Sequence, residues 1–130
     1  MRAARVLLML MRVAAGIQVV LGIGFWTGHW YGAVPVHMTV GSSYVVLLWI
    51  LAVIALVQRR VVGVALFAIL WGALVAALGY AQQGILAGSD FHWIVRVVHL
   101  LVSLSALGLA ERLAARDDRP AATVASFPAP

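Results

Sequence analysis

The chain has 130 residues, 65% of them hydrophobic and 10% charged, with a mean hydropathy of +1.06; soluble domains run roughly half apolar and a quarter charged, so this balance excludes a soluble globular domain. All nine basic residues are arginine and the net charge is +5, yet they flank apolar blocks rather than forming a patch, which argues against a nucleic-acid partner and for a lipid bilayer. Cysteine is absent, which excludes disulfides, thiolate metal sites and cofactors attached through thioethers.

A hydrocarbon core about 30 Å thick is crossed by about 20 helical residues. Four apolar blocks of that size can be drawn, at about 7–28, 36–57, 61–86 and 92–113. Because unpaired backbone is so costly in lipid, each is expected to be a helix, with the connections in the interface or in water. The fold class predicted is therefore all-α, a polytopic membrane protein with a four-transmembrane-helix bundle spanning 1–113.

The first block follows Arg2 and Arg5 and is interrupted by Arg12. A signal peptide is the competing reading of such a start, but Arg12 breaks the apolar stretch and no small-x-small cleavage site precedes a hydrophilic segment. The short connection after it, "TGHWYGAV", carries His29 beside Trp30, an interface residue by habit. Pro35 then suits the first turn of the second helix, where its missing N–H is harmless, and His37 lies just inside that helix. Arg59 and Arg60 form a tight turn into the third block, whose end carries Gln82 and Gln83. Ser89 or Asp90 can cap the fourth helix, which opens with His92 before a Trp and continues through Arg96, His99 and Ser103. The last segment, 114–130, is small, polar and proline-containing, and is expected to be a disordered cytoplasmic tail.

Eight arginines fall at one end of these blocks and only Arg96 at the other. By the positive-inside rule both termini and the Arg59 turn should be cytoplasmic and the histidine-bearing connections outward, in a prokaryotic-type inner (cell) membrane. The halves also repeat weakly in a 2+2 pattern: "VPVHMTVGS" has its counterpart in "VRVVHLLVSLS", so His37 and His99 occupy equivalent places, 62 residues apart. Two helices separate them, so the repeat is parallel, and both histidines sit within about two turns of an outer helix end. Such repeats often place a functional site at their shared interface.

A histidine facing lipid would leave its ring nitrogens unsatisfied, so His37 and His99 should face the bundle interior. Three readings are open: a structural hydrogen-bonded contact, a proton relay, or two axial ligands to one haem iron. A relay generally uses chains of acidic groups with His, and no acidic residue lies in the middle of a block. Ligation is favoured by the surroundings. Gly41 and Ser103 each lie four residues after a histidine, on the same helical face, where a bulky side chain would collide with a flat macrocycle; the same small residues would also permit close helix packing. Arg96, three residues before His99, could bind a haem propionate, or could snorkel to the interface or pair with Asp90. His29 and His92 read first as interfacial anchors, with propionate contact or a second metal as secondary possibilities. Gln18, Gln82 and Gln83 are the remaining polar groups, read as interhelical hydrogen-bonding residues or ligand contacts.

Taken together, "GIQVVLGIGFWTG", "VPVHMTVGSSYVVLL" and "VVHLLVSLSALGLA" resemble one half of the haem A synthase family, whose members are built from two four-helix halves, each with a histidine pair on parallel helices. In the catalytic half of that family a Glu lies three residues before the first helix-borne His; here that position is Val34. The resemblance is thus to the non-catalytic half, which holds a b-type haem, and it implies His37 and His99 as ligands without the enzymatic activity.

The expected function is a membrane b-type cytochrome or haem-binding protein, with one bis-histidine haem b between helices two and four near the outer face, serving electron transfer or haem holding. The alternatives are a cofactor-free structural or assembly subunit of a membrane complex, and a haem-modifying enzyme. The partners expected are the bilayer, a second copy in a homodimer, and a redox partner or respiratory complex.

Overall fold

The computed structural model describes residues 2–115 and is helical throughout its long elements. Helix α1 spans Arg2–Trp26, a 3₁₀ turn spans Tyr31–Ala33, and α2, α3 and α4 span Val34–Val57, Val62–Ala81 and His92–Ala115. All four helices are long and apolar enough to cross a membrane, and the chain is a multi-pass membrane protein. Of the segment 114–130, read from sequence as a tail, Ala114 and Ala115 belong to α4, and 116–130 lies outside the described residues.

The helix ends follow local chemistry. At the end of α1, His29 N–H donates to the Gly24 carbonyl at 2.8 Å and Gly28 N–H to Phe25 at 3.1 Å. This pair of bonds closes the helix with Gly28 in the left-handed region, φ 82°, where a residue without Cβ is unstrained. The end of α2 repeats the pattern with arginine in that place: Arg60 N–H donates to Ala55 and Arg59 N–H to Leu56, each at 2.9 Å, with Arg59 at φ 52°. Val61 follows at φ 42°, so two residues with Cβ occupy the left-handed region within one four-residue turn. Pro35 stands in the first turn of α2, as expected.

Helix α3 is shorter than the apolar block that contains it. It stops at Ala81 rather than continuing to 86; the chain then runs through turns, with Leu86 and Gly88 at positive φ values, 53° and 79°. Gln82 and Gln83 therefore belong to the connection and not to a span.

Helix α2 packs against α1, α3 and α4, while α4 also packs against α1 and α3. The contacts use small residues that let backbones approach closely: Ala52 and Ala55 of α2, Ala65, Ala68 and Gly72 of α3, and Ala106 and Ala110 of α4 are all buried. Larger groups fill what remains, with Met11 and Leu48 fully enclosed. This core gathers toward the end of the bundle that carries the Arg59 turn: Ala4 and Met11 of α1, Leu51 and Ala55 of α2, Ala65 of α3 and Leu109 and Leu113 of α4. At the opposite end, where α2 and α4 begin, the core thins to Val95 and little else. Arg12, the charge that interrupts the first block, pairs with Glu111 of α4 at 2.9 Å.

Candidate functional site

The thin end of the bundle is where the two helix-borne histidines lie. His37 is in the first turn of α2 and His99 in the second turn of α4, both half-buried. His37 packs edge-on against Phe25 of α1, centroids 5.2 Å apart at an interplanar angle of 77°. His99 packs toward α3, its Cε1 lying 3.4 Å from where a Cβ on Gly79 would be.

Neither imidazole has a hydrogen-bond partner among the described residues, and Nδ1 of each is enclosed. Two other enclosed polar atoms also lack partners: Oε1 of Gln18 and Oγ of Ser103. Buried polar atoms are normally paired, and leaving one unpaired costs about 1–3 kcal/mol. All four belong to one neighbourhood. Gln18 donates through Nε2 to the His37 carbonyl at 2.8 Å, Ser103 lies one helical turn beyond His99, and Tyr44, two turns beyond His37, donates its hydroxyl to the Ser103 carbonyl at 2.9 Å. The cluster has donors and acceptors to offer and no protein group to satisfy them.

The remaining sequence-predicted residues fall as follows. Arg96 is half-buried and has neither a hydrogen bond nor an ion pair among the described residues, Asp90 included. Gly41 has no free slot beside it, because a Cβ there would meet the Gln18 amide at 2.5 Å; its missing side chain lets Gln18 in. His29 lies in the exposed connection with Nδ1 3.2 Å from the Thr27 hydroxyl. His92 places Nδ1 3.0 Å from the Ile85 carbonyl, tying the start of α4 to the connection before it. Val34 is the first residue of α2, and the described acidic side chains, Asp90 and Glu111, belong to the α3–α4 connection and to the far end of α4.

Sequence reasoning missed Gln18 as a member of the cluster and Gly79 as the residue against His99. Gln18 was legible as a polar group in a span, but nothing in its neighbours "AAGIQVV" ties it to residue 37. Gly79 sits in a glycine-rich run whose spacing does not say which glycine meets an imidazole.

Among the described residues no three His, Asp or Glu side chains converge on one point. Two imidazoles alone make a poor cage for a free divalent ion, which takes four or more protein or water ligands. They suffice for an iron whose equatorial positions are filled by a macrocycle. The donor set, neutral nitrogen from two neighbouring helices in an apolar setting, fits haem iron, and the unpaired Arg96 guanidinium fits a carboxylate at its edge. No protein-family model, curated protein or solved structure matches the chain.

Proposed function

We propose that the protein is a b-type cytochrome of the cell membrane, binding one haem through His37 and His99 between α2 and α4. The observation that carries this reading is the pair of enclosed, unpartnered imidazoles on α2 and α4, at the end of the bundle where the hydrophobic core thins. His37 and His99 would be the axial ligands, Arg96 the partner of a propionate, and Ser103 the small residue that leaves room beside His99. Haem held by these two histidines would supply one-electron chemistry, so electron transfer or haem holding is the role. Val34 offers no carboxylate, and a haem-modifying activity would need a base from elsewhere. Both termini and the Arg59 turn are cytoplasmic in this reading and the histidine end faces outward, in keeping with the 2+2 pattern of the sequence and its arginine asymmetry. A homodimer and a redox partner on the outer face complete it.

The absorption spectrum of the purified protein tests the reading. A Soret band with sharp α and β bands on reduction is expected. A colourless, well-folded preparation that stays colourless after haem is added would sink it and leave a cofactor-free assembly subunit as the function. With haem bound, His99→Ala and His37→Ala should each abolish or convert the low-spin spectrum, and an unchanged spectrum in either would reject that ligand.

A further inference from the structure

Arg59 holds a left-handed backbone position, φ 52°, that disfavours a residue with a Cβ, and its exposed side chain makes no hydrogen bond or ion pair among the described residues. Arg112, in the last turn of α4, is likewise exposed and unpaired. The turn and the end of α4 meet at one end of the bundle, where Arg60, Ala4 of α1 and Leu113 of α4 line a single cleft. The described carboxylate at this end, Glu111, is already taken by Arg12 at 2.9 Å. Arg59 and Arg112 are thus positive charges that no described group of the chain neutralises. Their depth says what meets them. The spans end at Val57 and Ala115, so Arg59 follows one and Arg112 lies a turn inside the other, which sets both at the level of the lipid headgroups. Below Arg59, Val57 and Val53 are 78% and 50% exposed, an apolar surface at acyl-chain depth. A phospholipid has the same order of parts, and a guanidinium binds phosphate in bidentate fashion; a free phosphate would leave the apolar surface unused.

We propose that the arginine end of the bundle is a contact surface for anionic phospholipid, with Arg59 and Arg112 binding headgroups of net negative charge. It is independent of the haem reading. The test uses spin-labelled phosphatidylglycerol and phosphatidylcholine, each at trace level in phosphatidylcholine vesicles that hold the full-length protein, and reads the fraction of motionally restricted lipid. In the wild type at low salt, phosphatidylglycerol should associate about fivefold more strongly than phosphatidylcholine, the attraction that one arginine supplies near a charged surface, and added salt should shrink the difference. Arg59→Gln with Arg112→Gln should abolish the preference. Arg12→Gln with Glu111→Gln, which removes a pair and leaves the net charge unchanged, should keep it. Inorganic phosphate should displace the lipid no better than chloride at the same ionic strength. A role confined to setting topology would give no preference, because lipid association in these vesicles does not depend on how the chain was inserted. Equal association of the two lipids with the wild type therefore overturns the proposal; if Asp117→Asn with Asp118→Asn then brings a preference out, the chain's own C-terminal segment is the partner of these arginines. A preference that survives the double arginine substitution overturns it as well, and displacement specific to phosphate would make the surface a free-phosphate site instead.

Discussion

At the scale of single residues, glycines decide how near the helices come, and two of them predict different outcomes. A Cβ on Gly72 would fall 2.5 Å from Nε1 of Trp49, whose N–H donates to the Ile69 carbonyl at 3.0 Å. Gly72→Ala must therefore displace the indole and break that bond. A loss of about 1–3 kcal/mol is expected, the usual range for overpacking, read as a lower thermal midpoint in detergent. The Cβ of Gly79→Ala would meet His99 Cε1 at 3.4 Å, an ordinary van der Waals contact, so that variant should unfold with the wild type and keep its spectrum. Neither effect is visible in the sequence, where both glycines sit in one apolar run and differ only in what faces them. The histidines were more legible. His37 and His99 stand out because an imidazole in a membrane span is expensive, whereas Gln18 joins them only through a contact between helices that residue spacing does not encode.

At the scale of elements, the helices were readable from hydropathy because length and apolarity are what a bilayer demands of a span. Their ends were readable only where a residue carries its own conformational preference. Gly28 marks the close of α1, and Pro35 the start of α2. The end of α3 was not readable from hydropathy, because Ile85 and Leu86 carry the apolar block on past the two glutamines, and the connection turns at Leu86 and Gly88, both at positive φ. The α2–α3 turn is a third case. It has the hydrogen bonds of a glycine-closed helix end but carries Arg59 at φ 52°, a conformation that disfavours residues with a Cβ by roughly 1–2 kcal/mol. Arg59→Gly should stabilise the protein by about 0.5–1 kcal/mol, allowing for the greater freedom glycine has in the unfolded chain. Chemical denaturation in detergent checks this, and a destabilised variant would mean that the Arg59 side chain contributes more than its backbone strain costs. That a strained turn keeps an arginine there is consistent with charge, rather than helix closure, governing the position.

At the scale of the whole molecule, the two ends differ in both packing and charge. One end holds most of the buried hydrophobic core together with Arg5, Arg12, Arg59, Arg60 and Arg112; the other holds the unpartnered polar cluster, the thin part of the core and Arg96. Orientation thus decides from which side an electron partner would approach the histidines. The positive-inside rule predicts a cytoplasmic arginine-rich end, because arginines flanking a span resist transfer across the membrane. A chain without cysteine makes this directly testable by single substitutions. Gln58→Cys lies beside the arginine turn and Ala87→Cys in the α3–α4 connection, and both positions are exposed. On intact cells an impermeant maleimide should label Ala87→Cys and leave Gln58→Cys unlabelled until the membrane is permeabilised. The reverse pattern would turn the histidine cluster toward the cytoplasm, and any redox partner would then have to be sought on that side. Neutralising Arg59 and Arg60 together should raise the fraction of inverted molecules, seen as Ala87→Cys that becomes reactive only on permeabilisation, while Arg96→Gln should not, since removing the lone outer arginine strengthens the existing asymmetry.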